Sequence, residues 1–514
     1  MNKNSAPWIM NKSVGRYLSG FFVAVAAVFA PCLSGRATQA PLTVMTNGSG
    51  TGAVYLRLGP GHFVPAQGAL LTVGQNYNLV ASPLNSYLTN WVVSGGTAVG
   101  PTSNPGLIFT MGNNTTITAS FLTNIFLRMA GTYYGLYSNT DTTYPSDEAS
   151  GMIYNLVVNT RGAYSFSVFG GGSSRSFSGY FTPGGCATNI YTNTLDNYVQ
   201  VVFAITSTAS PRTINGTVTG TNTIILAGGA TTNGWSSSLI AIAAATNSSL
   251  TNTTNFSRAY TLVIPPNDTT ATSGQSPPGY GYAWLTNTAG TNTISSVTIV
   301  GLLADWTSIA EIAPVNEAGT VPIYQNYFNT PDPGMLFGWL NLRDTSAAPA
   351  PSGTLTWIRK QSRALYGVYT SGFTNSVAVL GSTYVNTNSL TNYLSFTNTA
   401  APGTQMVVSS DNFPISPLTN NLYVVRTNFL SRISTNQGSD ILYRGYVLPR
   451  TGEFIIEFTN EYKLPSVAYG VLLQNSTFTT TVGANTLTNI GAGLFYTGSP
   501  RNPTNVGAVT LRAN

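Results

Sequence analysis

From residue 41 onward the chain is written in short alternating stretches. In TTITASF (115–121), Ile117, Ala119 and Phe121 share one face, with Thr and Ser between them. That two-residue period belongs to a half-buried strand. GMIYNLVV (151–158) sets Ile153, Asn155 and Val157 against Tyr154, Leu156 and Val158. After a turn at Arg161-Gly162, Tyr164, Phe166 and Val168 face together, and Gly170-Gly171-Gly172 turns the chain again. YVQVVFAIT (198–206), TINGTVTG (213–220) and SSLIAIAAA (237–245) continue the series. Strands at a spacing of ~10–15 residues predict a sandwich or an up-and-down barrel. The same style runs on through GYGYAWL, SSVTIVGLLADW, VPIYQNYF, GMLFGWLNL and GTLTWIRK, and then through YRGYVLPRTGEFIIEF, YGVLLQNSTF, GAGLFYTG and GAVTLR. NTRGAYSFSV (159–168) and LPRTGEFIIEF (448–458) align on Gly162 and Gly452, an internal repetition of the hairpin unit.

Residues 41–121 form a distinct unit. It supplies Gly48, Gly50 and Gly52 in an opening strand, then Gly74, Tyr77, Leu79, Ala81 and Pro83. Trp91 follows a short turn, and Asn104, Pro105, Phe109 and Met111 precede the closing Ile117, Ala119 and Phe121. These spaced positions resemble the internalin-type B-repeat, or bacterial repeat domain; Val80 stands where that family often has Thr. The resemblance covers about 80 residues and implies a small β-grasp-like module of secreted or surface proteins, without catalysis. Within it, Trp91 reads as core. The order of landmarks from GTYYGLY (131–137) to GAGLFYTG (491–498) also resembles a C-terminal region of large secreted proteins of environmental bacteria. That resemblance implies architecture and location only.

The expected organisation is therefore a signal peptide at 1–40 and a B-repeat-like module at 41–122. Three β-meander modules follow at 123–257, 258–360 and 361–514, the last separate from the second or one unit with it. The fold class is all-β: a small β-grasp-like module followed by antiparallel β-meander barrels or sandwiches. Composition agrees. Only 7% of residues are charged, against about a quarter in an ordinary soluble domain. Lysine occurs only at 3, 12, 360 and 463, and Thr, Asn, Ser and Gly take its place. Helical surfaces draw on Lys, Glu, Arg and Gln, whereas strands and turns use the residues found here.

The N-terminus changes the location. Lys3, Lys12 and Arg16 precede the apolar stretch YLSGFFVAVAAVFA (17–30), which fits a secretory signal and is short for a membrane span. Cleavage is expected after Ala37 or Ala40, leaving no further membrane span. The expected location is extracellular or the cell surface. Cys186 is then the only cysteine, so no intrachain disulfide can form. The net charge of +6 is spread thinly, Arg359-Lys360 with Arg363 being the densest group. No basic stripe suited to nucleic acid is present.

Candidate chemistry is sparse. The single histidine, His62, sits in the first unit, so histidine-based metal clusters cannot be built. No cofactor or metal is expected: no P-loop, dinucleotide fingerprint or calcium-loop run of acidic residues occurs. Glu453 and Glu457, four apart, share a strand face at ~13 Å, and read as solvated carboxylates rather than a glycosidase pair. Asp147-Glu148 reads as a solvated loop, and Asp332, between prolines, as a turn residue.

The aromatic positions remain. PGMLFGWLNL (333–342) places Met335, Phe337 and Trp339 against Leu336, Leu340 and Leu342, apolar on both sides. Such a strand is either interior or a sugar-stacking platform. Trp284, Trp339 and Trp357 are the candidate platform, with core packing as the simpler reading. The expected protein is a secreted or cell-surface structural or adhesive protein without enzymatic activity. The alternative is a carbohydrate-binding protein of a polysaccharide-utilising system, with a glycan-active enzyme third. The expected partners are extracellular polysaccharide or cell-envelope components.

Overall fold

The computed structural model describes residues 37–139, 147–192, 198–226, 229–245, 257–266, 276–288, 296–328, 330, 333–343, 350–361, 372–385, 404–409, 418–426, 429–432, 444–459, 464–482, 485–499 and 502–513. Of the expected signal segment 1–40, residues 1–36 lie outside them, as do Asp332 and the neighbourhood of Arg363. Among the described residues there is one helix, Phe126–Met129; all other long elements are strands. The all-β class holds, and the chain divides into two compact units, one through Phe121 and one from Leu122.

In the first unit, strands Thr51–Gly59 and Asn76–Leu84 pair antiparallel at the centre of a five-stranded sheet. Strand Thr43–Asn47 runs parallel to Thr116–Thr123, so the opening and closing strands lie side by side. Ile117, Ala119 and Phe121 are all buried, as their alternation predicts. They join Leu56, Leu79, Phe109 and Met111 around Trp91, which is 2% exposed. Its indole Nε1–H donates to the Asn104 carbonyl at 2.8 Å. Trp91→Phe removes that donor and part of the packed volume. It should destabilise this unit by about 1–2 kcal/mol, read as a lower urea midpoint.

The second unit stacks four sheets. The first has eight strands and spans Gly131–Ser138 to Gly229–Ala243. Its concave side is aromatic. The rings of Phe166 and Phe203 stand 4.9 Å apart although four strands separate theirs in the sheet order. The sheet therefore curls towards a barrel. Asn155, at φ 53°, breaks the simple alternation of 151–158. The register slips between Tyr154 and Val157, so that Ile153, Leu156 and Val158 all turn inward. Asn tolerates this left-handed conformation, and the extra residue makes a bulge. At Gly162, φ +78° closes the expected hairpin, and Gly452 at φ +72° does the same in the last sheet.

The next two layers form a sandwich. A four-stranded sheet runs Thr320–Asn326, Gly334–Asn341, Ser352–Arg359, Phe373–Ala378. A five-stranded sheet contains Ala259–Ile264, Gly281–Thr288, Ser296–Leu302, Ser308–Pro314 and Leu380–Tyr384. Leu262, Leu285, Ile299, Leu336, Leu340 and Trp357 meet between them. Strands 373–378 and 380–384 thus complete these two sheets, although the sequence pattern suggests a break after 360. The fourth layer is a closed barrel. From Pro465–Leu472 the pairing passes round through Thr404–Ser409 and Asn502–Ala513 to Asn485–Ser499, which pairs back onto Pro465–Leu472. Phe454, Ile456, Phe495 and Leu511 fill it. Both of the expected architectures, sandwich and barrel, occur in one unit.

Candidate functional site

Two-residue periodicity gives every strand of the four-stranded sheet two faces. Leu336 and its register partner Trp357 point into the sandwich, while Met335, Phe337 and Trp339 point towards the eight-stranded sheet. Both faces of GMLFGWLNL are therefore covered, which is why it is apolar on both. Near its start, Met335, Phe337 and Ile358 pack on Leu136 and Met152. Towards its end the two sheets part and leave a cleft of about 520 Å³.

The cleft is built by register. On the eight-stranded sheet Leu136 pairs with Ile240 and Ser138 with Ser238, giving an apolar row and a hydroxyl row. Opposite, Thr320, Asn341 and Ser352 form one row, and Trp339 with Thr354 the next. Phe337 forms the apolar floor with Leu136; both are buried. Ile240, 47% exposed, marks the mouth together with exposed Ser238 and Thr354. Gly338 and Gly353 hold φ of +151° and +149°, and a Cβ on either would run into a carbonyl of the facing strand, Thr354 O or Trp339 O. The strands approach this closely only as glycines. Among the described residues, no charged side chain lines the cleft.

Ties on two sides hold its walls. Arg212 grips Glu317 through Nε (3.0 Å), Nη2 (2.7 Å) and its own backbone N–H (2.8 Å). Beside it, Ala245 N–H donates to Val315 O and Glu317 N–H to Ala243 O. At the other end Lys360 Nζ lies 2.7 Å from Asp147 and 3.2 Å from Glu148. Asp147-Glu148 is thus an inter-sheet clamp and not a solvated loop; the Asp147 side chain is 9% exposed. Burial pushes the Asp147 carboxyl up despite Lys360. For Glu148 burial acts the same way, but hydrogen bonding from Asp147 and the Lys360 charge outweigh it and hold the carboxyl down. Both ties are short, charged hydrogen bonds, the stronger class.

The three candidate tryptophans do not share a platform. Trp357 is 6% exposed in the sandwich, edge-on to Phe373 at 4.6 Å. Trp284 lies in the five-stranded sheet between Thr261 and Val300, half-buried. Trp339 alone lines the cleft. Leu136, Ser138, Ser238, Ile240 and Thr354 carry no sequence signal, because small polar and aliphatic residues occur throughout the chain.

The carboxylates are engaged elsewhere. Glu453 accepts from the Tyr282 hydroxyl at 2.7 Å, tying the five-stranded sheet to the barrel. Its strand neighbour Glu457 is exposed. Asp305 pairs with Arg359 at 2.7 Å inside the sandwich. Glu311, on strand Ser308–Pro314, accepts the Tyr324 backbone N–H at 3.2 Å and so caps the edge of the four-stranded sheet. Its Oε2 is shut off from solvent with no hydrogen-bond partner among the described residues, and burial pushes the carboxyl up to about 7. Cys186 and His62 are exposed, and no group of three metal-ligating side chains gathers among the described residues. Comparison with protein-family models, curated proteins and solved structures finds no match to this chain.

Proposed function

We propose that this chain is a secreted or cell-surface, non-enzymatic protein that attaches to carbohydrate through the cleft at Trp339. The supporting observation is the lining itself: an indole and a phenyl ring beside rows of hydroxyl and amide groups, with no charged group among the described lining residues. Sugars present the same duality, a C–H face that packs on an aromatic ring and hydroxyls that exchange hydrogen bonds with neutral polar groups. Walls held by ion pairs at two ends give a pre-formed site, and pre-organisation lowers the ordering cost of binding. The N-terminal signal pattern and the B-repeat-like spacing of 41–121 support the extracellular setting.

A glycan array probed with the purified chain tests this reading. Trp339→Ala should weaken any binding at least ~10-fold, as expected for loss of an interface aromatic. Ser238→Tyr, which fills the mouth from an exposed strand position, should do the same with unchanged thermal unfolding. Binding that survives both substitutions places the ligand elsewhere; no binding to any glycan removes the proposal.

A further inference from the structure

We infer that the cleft selects an uncharged polysaccharide, a neutral glucan, mannan or xylan chain, and excludes polyuronates and sulfated polymers. The inference rests on the carbohydrate reading above and specifies its ligand class. Among the described residues that line the cleft there is no Lys, Arg or His that could pair with a carboxylate or sulfate, and no Asp or Glu that could hold a bridging calcium ion. Charged groups described beside these strands are engaged with other partners: Arg343, two residues beyond Asn341, donates from Nη2 to the Glu317 carbonyl at 3.2 Å. Arg212 presents Nε and Nη2 to Glu317 Oε1, and its Nη1 donates to the carbonyls of Arg128 and Ala130. Lys360 is shared between Asp147 and Glu148 at the opposite end of the sheet contact.

An anionic sugar entering here would give up hydration against Leu136, Ile240, Phe337 and Trp339 and gain no counter-charge from the described lining. An unpaired charge moved out of water costs several kcal/mol. A neutral sugar faces no such penalty. Its hydroxyls exchange water for Ser138, Ser238, Ser352, Thr320 and Thr354 at little net cost, and its apolar face covers Trp339. The volume of about 520 Å³ lies in the ordinary range for ligand sites. With Ile240, Ser238 and Thr354 exposed at the mouth, the site can take a segment of chain whose ends stay in solvent.

Affinity electrophoresis of the full chain and of Trp339→Ala decides it. The gels contain, in turn, a soluble β-glucan, mannan, xylan, polygalacturonate and alginate, with and without EDTA. The expected result is retardation by at least one neutral polymer, unchanged by EDTA and lost in Trp339→Ala, with no Trp339-dependent retardation by the two polyuronates. Retardation by a polyuronate that Trp339→Ala abolishes would overturn the neutral-ligand inference while leaving the carbohydrate reading standing. Loss of neutral-polymer binding in EDTA would overturn it too. Absence of Trp339-dependent binding to all five polymers would remove both.

Discussion

Glu311→Gln is expected to stabilise the protein at pH 8 and to leave it unchanged at pH 4. Burial raises the Glu311 carboxyl from its ordinary 4.5 to about 7. The folded state therefore holds this proton more tightly than the unfolded chain does. Below the unfolded value both states are protonated and the full stability is present. As pH rises from 4.5 to 7 the unfolded chain ionises first, and stability falls. Above 7 both states are ionised and the slope ends. At ~1.4 kcal/mol per unit the loss is up to about 3 kcal/mol. Gln keeps a carbonyl oxygen to accept the Tyr324 N–H and carries no charge to bury. Asp147, also pushed up by burial, steepens the same pH dependence in both proteins and cancels in the comparison. Urea unfolding of the two proteins from pH 4 to 8 is the measurement. A difference that stays constant with pH would show that Glu311 titrates like an exposed carboxylate.

The position of Glu311 also shows what the sequence can and cannot disclose. The strand class was legible, because Ile117, Ala119, Phe121 and Tyr164, Phe166, Val168 repeat every second residue and all six are buried. So was the double-sided strand at 334–342, whose apolar residues on both faces are covered by two different sheets. Pairings between distant segments were not legible. Glu311 caps Tyr324 across a sheet-to-sheet connection, Lys360 finds Asp147 across 213 residues, and Ser138 meets Ser238 across 100. Local alternation states which face a side chain takes but not which sheet will cover that face. The cleft is a product of such pairings. Of the described cleft residues only Trp339 belonged to the candidate platform, and its candidate partners Trp284 and Trp357 were separated from it by sheet faces that periodicity cannot order. Asn155 shows the same limit locally, since one left-handed residue inverted half of an otherwise regular alternation.

Asp305→Ala is expected to cost about 3–5 kcal/mol, the range for breaking a buried ion pair from one side. The pair lies inside the sandwich, with the Arg359 and Asp305 side chains 5% and 2% exposed. Arg359 is the last residue of strand Ser352–Arg359 and lies on the same face as Leu355 and Trp357, so its guanidinium enters the core at the end of the four-stranded sheet. Asp305 comes from the turn after strand Ser296–Leu302 of the facing sheet. It does two jobs: Oδ2 takes Arg359 Nη1 at 2.7 Å, and Oδ1 takes the Thr307 backbone N–H at 2.9 Å. That turn carries Trp306 at φ +74°, a conformation bulky side chains adopt only when their surroundings impose it. Removing the carboxylate thus leaves a buried cation without this partner and releases the turn that holds Trp306. Arg359→Met leaves the opposite charge behind and should cost a similar amount. The two losses should not add. In Asp305→Ala/Arg359→Met neither charge remains, and a thioether fills part of the guanidinium's volume. The double variant should therefore be more stable than the sum of the single losses by at least ~1 kcal/mol. Urea midpoints of the four proteins, taken at one pH, close this cycle. Additive losses would mean that the turn at Asp305, and not its charge, joins the two sheets.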